Sequence, residues 1–340
     1  MQRVSQRLLA QRRVASTVFD RTLKQRQKAL AATAPDAHQF EYLRDSVCDE
    51  LLERLLDIKE EDRQFPHVLD HGAWAGNFFR LLNTRPRGFA GIQHVTQLEE
   101  CEEMLNRDAH LIGDRLPGGV TTERVVFDPE APLPFNDESV DLVVSNLSLH
   151  WINALPEAFA EAFRVLRPGG ALLGAMLGGN TLSELRSAFA LADEERVGAM
   201  GNHTSPLTRG SDVASLLQRA KFRSPTVDAR TLTAHFENLP HLARHLQGMG
   251  EQHAPALGAH ASIDTMAAAS AIYDAMYGQE QGEQTVIPAT FDVIYFIAWK
   301  TRKEGQEDDQ RGPPSEQKDS KDPLDLSRFG QARVHNVKPQ

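Results

Sequence analysis

Apolar positions change their spacing repeatedly along this chain, and the changes predict an alternation of helices and strands. From Tyr42 to Leu56, Leu43, Val47, Leu51, Leu52 and Leu55 recur at intervals of three and four, the mark of one buried helical face. A short strand ends at Val68–Leu69, and a helix opens over Phe78–Leu82. Phe89–Val95 reads as a second strand, followed by the helix-like run QLEECEEML, and Arg124–Phe127 as a third. VDLVVS, Val140–Ser145, is a β-branched run entered through the turn-like PFNDES, and is expected to be a buried strand. Pro156–Leu166 is a helix, RPGG at Arg167–Gly170 a turn, and ALLGAML the next strand. This rhythm predicts an α/β sheet with helices on both faces.

The second half is mostly helical in pattern. Thr181 followed by Glu184 has the form of a capping box opening a helix that runs to Glu195. Ser211–Ala220 is another helix, Val227–Phe236 a strand, and Leu239–Leu246 and Ile263–Tyr277 are helices. TFDVIYFIAW, Thr290–Trp299, is the last strand. The helical insertion near 237–285 is the expected place for a lid or docking surface, because ligands of open α/β sheets bind beyond the C-terminal ends of the strands.

Composition narrows the function classes. The 340 residues are 41 % apolar, enough for a large core, and the net charge of −10 argues against a nucleic-acid binder. Two distant cysteines, Cys48 and Cys101, fit reduced thiols better than a disulfide framework or zinc site. No apolar run reaches the roughly eighteen residues of a membrane span. Residues 1–17 carry Arg3, Arg7, Arg12 and Arg13 with no acid before Asp20, the composition of a mitochondrial targeting helix. Residues 301–340 are polar, charged and proline-broken, which predicts a disordered tail. The folded domain is expected over 18–300.

Candidate chemistry gathers at the loops. HVLDHGAWAGNFF, His67–Phe79, has the outline of a nucleotide-binding turn, in which Gly72 and Gly76 allow a tight backbone and Asp70 either orients the loop or accepts a hydrogen bond. Trp74 stands where such a loop usually has glycine. At the expected end of the second strand stands His94, able to meet one ribose hydroxyl but without the paired acceptors of a carboxylate. Asp128, after the third strand, suits an adenine amine. The fourth-strand exit, SNLSLHWIN, offers Ser145, Asn146, His150, Trp151 and Asn153: Asn153 as a helix cap, His150 and Trp151 as substrate-facing groups. Asn180 follows in the glycine-rich GAMLGGN. No nucleophilic triad or compact metal-ligand spacing is evident, and HLARH, His241–His245, lacks the glutamate of the metalloprotease pattern.

Several blocks together closely resemble the mitochondrial arginine-hydroxylase family of complex I assembly factors. They are VFDRTLKQRQKALAA (Val18–Ala32), VVSNLSLHWINALP (Val143–Pro156), LRPGGALLGAMLGGNTLSELR (Leu166–Arg186), LQGMGE (Leu246–Glu251), DTMAAASAIYDAMYG (Asp264–Gly278) and VIPATFDVIYFIAWK (Val286–Lys300). The resemblance implies a class I S-adenosylmethionine-dependent methyltransferase fold, a Rossmann-like three-layer sandwich with a helical insertion before the last strand. It implies a matrix protein associated peripherally with the inner membrane. The activity implied is hydroxylation of an arginine in an iron–sulphur subunit during assembly of NADH:ubiquinone oxidoreductase, and the partner is that subunit or an assembly intermediate. Carried over by position, the S-adenosylmethionine residues would be Asp70, Gly72, Gly76, His94, Asp128 and Ser145. Catalytic candidates are His150, Trp151 and Asn180, with no metal. Two alternatives stand beside this reading: a methyltransferase, and an assembly scaffold without catalysis.

Overall fold

The computed structural model describes residues 17–60, 62–256, 261–282 and 284–301; the expected targeting segment up to residue 16, and the expected tail from residue 302, lie outside them. The elements run α1 (Arg21–Thr33), α2 (Tyr42–Leu56), β1 (His67–His71), α3 (Asn77–Leu82), β2 (His94–Glu99), α4 (Glu102–Asn106), α5 (Ala109–Ile112), β3 (Thr121–Val126), β4 (Val140–Asn146), α6 (Leu155–Val165) and β5 (Leu166–Leu177). They continue with α7 (Ser183–Arg196), α8 (Gly210–Arg219), β6 (Arg223–Phe236), α9 (Leu239–Gly248), α10 (Ile263–Tyr277), β7 (Gln279–Gln281) and β8 (Gln284–Trp299). The sheet order is β3-β2-β1-β4-β5-β8-β6, with β7 pairing on β8. The first five strands are parallel, and β8 lies antiparallel between β5 and β6.

The two faces of the sheet follow from the period of two in its strands. Val68, Leu142 and Val144 face one core with Val47, Leu51 and Leu55 of α2, with α3, and with Ala188 of α7. Leu69 and Val143 face the other, with Phe159 of α6 and Val213 and Leu217 of α8. A third apolar cluster lies at the C-terminal ends of the strands, where Phe19, Ala31 and Ala32 meet Trp74, Met104 and Trp151. There α1 forms a roof: its N-cap Asp20 accepts from Leu23 N at 2.9 Å, and its inward face carries Lys24, Gln27 and Lys28 as well as alanines. Among the described residues no helix is long and apolar enough to cross a membrane.

Tertiary contacts revise several local expectations. β2 is His94–Glu99, so the run expected to begin a helix is strand, and the helix starts only at Glu102. RPGG belongs to β5 itself: pairing with β4 jumps from Val140↔Leu166 to Leu142↔Ala171, and the glycines absorb the bulge. The capping box does not form, since α7 begins at Ser183 after Leu182 and has no side-chain cap. Thr181 Oγ1 instead donates to Asp292 O at 3.2 Å, and the Glu184 carboxylate accepts the Thr290 hydroxyl, so both side chains serve β8. Asn153 is no cap either. Its Oδ1 accepts from Val18 N and Phe19 N, both at 2.8 Å, and ties down the segment before α1.

Candidate functional site

The site lies at the C-terminal ends of β1, β2 and β4, under α1. The loop after β1 turns as its sequence suggests, with Gly72 at φ +77° and Gly76 at φ +78°. A Cβ on Gly72 would stand 1.9 Å from Ser148 Oγ, and one on Gly76 would stand 2.6 Å from Gln97 Oε1. The room that these glycines leave is therefore taken by the protein's own side chains.

Trp74 adopts φ +52°, a left-handed backbone that costs a residue with a Cβ about 1–2 kcal/mol. Its side chain recovers that cost by burial. The indole is fully buried, and its Nε1 donates to Leu147 O at 3.2 Å. Two cations lie over the ring, with Arg44 Cζ 3.7 Å and Lys28 Nζ 4.3 Å from its centroid. The indole fills the loop's mouth.

At the end of β2 the chain places Glu99, not His94. His94 begins that strand at the opposite edge of the sheet, where its Nδ1 lies 2.9 Å from Thr121 Oγ1. Reading QLEECEEML as helix set the strand end one turn too early and hid the carboxylate. Glu99 Oε1 accepts from Lys28 Nζ at 2.8 Å, Glu100 N at 2.9 Å and Cys101 N at 3.1 Å, while Oε2 accepts from Trp74 N at 3.2 Å. A carboxylate has about four acceptor positions, two on each oxygen; three of these N–H groups crowd Oε1, and Trp74 N takes one position on Oε2. Burial would lower the Lys28 ammonium, but Glu99 and Glu100 outweigh it and raise it instead.

The remaining expected residues are dispersed. Asp70 is buried with neither carboxyl oxygen hydrogen-bonded, and burial, reinforced by Glu99, pushes its carboxyl up to about 8. Ser145 is buried and donates to His71 O at 2.7 Å. Asp128 is exposed at the rim, 3.8 Å from an Arg21 nitrogen, and Asn180 is exposed in the turn before α7. His150 and Trp151 do meet, on a residue that local sequence did not single out. Glu251 Oε2 accepts from Trp151 Nε1 at 2.9 Å and lies 3.1 Å from His150 Nε2, while Arg44 reaches Oε1 at 3.2 Å. Burial works to raise the Glu251 carboxyl, yet His150 and Arg44 hold it down at about 2. Lys24, wholly buried, donates to Gly250 O at 3.0 Å and Gln252 O at 2.6 Å and stands 3.3 Å from the Trp151 ring centroid. Nothing in the sequence of α1 signals that both of its lysines, Lys24 and Lys28, turn inward; only the docking of the helix does.

A parallel sheet closed by an antiparallel strand between β5 and β6, with ligand-type loops at its C-terminal edge, defines the class I methyltransferase fold. A family model described as a methyltransferase domain matches residues 69–174. A solved putative methyltransferase from Bacillus halodurans C-125 is 17 % identical, covers 76 % of this chain and all of its own, and has a TM-score of 0.50. Within that class the chain belongs to the family of the mitochondrial arginine-hydroxylase NDUFAF5: the mouse protein of that name is 38 % identical over 287 residues, 84 % of this chain and 78 % of the relative. A malonyl-[acyl-carrier protein] O-methyltransferase of Gallionella capsiferriformans (strain ES-2) is 30 % identical over 83 % of this chain and 92 % of its own.

The fold implies S-adenosylmethionine, and the geometry tests that group. A ribose diol is held by both oxygens of a carboxylate at the end of β2, but Glu99 Oε1 is already saturated by three N–H groups and Oε2 accepts from Trp74 N. The cavity between Gly72, Glu99, Lys28 and Ser148 holds about 10 Å³, against roughly 300–1,000 Å³ for small-molecule sites. In this arrangement the residues do not fit the cofactor.

Proposed function

We propose that this chain is a mitochondrial protein-arginine hydroxylase serving the assembly of NADH:ubiquinone oxidoreductase, with an arginine of an iron–sulphur subunit as its target. The place of action in this reading is the matrix side of the inner membrane, reached by peripheral association. The observation that carries the reading is a likeness to proteins named arginine-hydroxylase that spans 84 % of the chain, far beyond the matched methyltransferase segment. The filled cradle supports it, because methyl transfer would need the space that Trp74 and Lys28 occupy. Insertion of oxygen into a C–H bond requires an oxidant and an electron source. Of the catalytic candidates, His150 and Trp151 converge on Glu251, while Asn180 stands apart at the surface.

The test is mass spectrometry of complex I from cells lacking this gene, with and without the restored chain. The target arginine should lose its added oxygen on deletion and regain it on complementation. An oxygen that persists in the deletion sinks the enzyme reading, and assembly restored without it favours a scaffold.

One observation favours a second reading, S-adenosylmethionine-dependent methyl transfer. The buried Asp70 carboxyl has no partner, as though a donor from a ligand belonged there. That reading requires Trp74 and Lys28 to withdraw. Calorimetric titration of the wild-type chain with S-adenosylmethionine tests it, and absence of heat at high ligand concentration removes it.

A further inference from the structure

β6 closes one side of the sheet and, among the described residues, pairs with β8 alone. From Thr226 to Phe236 its register with β8 is unbroken, and the run TVDARTLTAHF holds neither proline nor lysine. Sheet edges are ordinarily blunted by prolines, lysines or bulges, because a row of unpaired N–H and C=O groups recruits another strand. Here Pro225 and the register shift between Arg223 and Thr226 blunt only the start of the strand. The opposite edge, β3, is a strand of 6 residues, and the Arg115–Thr121 bridge covers its beginning.

Side chains along β6 alternate between two faces. Leu232, Ala234 and Phe236 enter the core shared with α2. On that same face Asp228 accepts from Arg54 at 2.7 Å, and Arg230 lies 3.1 Å from Glu50. Both remain reachable from outside, with the Asp228 side chain 32 % and the Arg230 side chain 30 % exposed. On the other face Ala229 and Thr231 are exposed. The pattern is self-complementary about Ala229. Two such strands laid antiparallel around a twofold axis at Ala229 set Asp228 of each copy opposite Arg230 of the other, and Val227 opposite Thr231. An axis at Asp228 would face carboxylate with carboxylate, and one at Arg230 guanidinium with guanidinium, so charge selects the register between them. Ala229, opposite its own counterpart, leaves the two backbones free to approach.

We propose that the β6 edge is a self-association surface: a second copy of this chain pairs antiparallel over Thr226–Leu232, and the two sheets become one. The inference goes beyond the proposed hydroxylation and does not depend on it. The ladder is short and its charged pairs stay at the rim, which places the dimer in the weak, exchanging class rather than the obligate one.

Sedimentation velocity of the full chain across the micromolar range should show reversible dimerisation. Ala229→Lys brings two ammonium groups together at the axis. Because the position is exposed, the melting temperature should stay near wild type while the dimer weakens by at least about tenfold. Asp228→Arg and Arg230→Asp should each dimerise poorly alone. Mixed in equal amounts they restore both cross-strand pairs, since one chain then carries two guanidinium groups and the other two carboxylates. A heterodimer at least about tenfold tighter than either homodimer should appear. If either charge variant is unfolded at the assay temperature, Ala229→Lys decides alone. A wild-type chain that stays monomeric overturns the proposal. So does undiminished dimerisation of folded Ala229→Lys, which would put the contact on another surface. A mixture of folded charge variants that associates no better than its components overturns it as well, because the register then carries no charge match.

Discussion

Replacing Trp74 by glycine tests whether the indole is structural filling in a cofactor mouth. Truncating a buried tryptophan costs about 3–5 kcal/mol, a range that already includes its lost contacts. Glycine recovers the penalty of the left-handed backbone at φ +52°, about 1 kcal/mol or slightly more. The net loss is about 2–4 kcal/mol, which for a domain of this size lowers the melting temperature by roughly 3–7 °C. Scanning calorimetry on the full chain reads that drop. Adding Lys28→Ala frees Glu99 Oε1 from its ammonium, so the double variant should take up S-adenosylmethionine. Saturation at a hundredfold the dissociation constant would return about 2.7 kcal/mol, most of what Trp74→Gly lost. Wild type should show no such rise. If Trp74→Gly melts with wild type, the indole is not core. If S-adenosylmethionine raises the melting temperature of both proteins alike, Trp74 does not close the cradle.

Asp70→Asn should change the pH dependence of stability. The folded carboxyl is pushed up to about 8, above its unfolded value near 4, so the folded state holds a proton that the unfolded state releases. Its contribution is fully present below pH 4 and lost as pH rises towards 8. The melting temperature of Asp70→Asn should therefore match wild type near pH 4, exceed it increasingly up to pH 8, and keep a constant lead above that; a gap that does not change with pH refutes the assignment. Gly72→Ala should destabilise by more than about 2 kcal/mol, from backbone strain at φ +77° and a collision with Ser148. Ser148→Gly in the same chain should recover the collision part only, and denaturant unfolding that shows full recovery would mean the strain is negligible.

The alternation of strand and helix was legible in the sequence because apolar spacing follows local geometry: β4 was expected at Val140–Ser145 and found at Val140–Asn146. The turn at Gly72 and Gly76 was legible for the same reason, since positive φ selects glycine. Long blocks outside the sheet's first half, such as DTMAAASAIYDAMYG, were enough to indicate the family. Elements whose residues answer to distant partners were misjudged. Thr181 and Glu184 look like a cap until β8 is beside them, and QLEECEEML has helical spacing although its first half pairs with β1 and β3. The site belongs mostly to this second kind. Glu251, some hundred residues from His150 and Trp151, joins them only because the segment after α9 folds back over the strand ends. Lys24 and Lys28 become interior groups only when α1 docks, and whether Trp74 faces solvent or fills the mouth depends on Leu147, Arg44 and Lys28 arriving around it. Sequence alone determined the layered fold and the backbone of the loop, which depend on periodicity and on φ. The occupant of the cradle was decided by tertiary structure, because burial and charge pairing are properties of neighbours that the chain brings together from far apart.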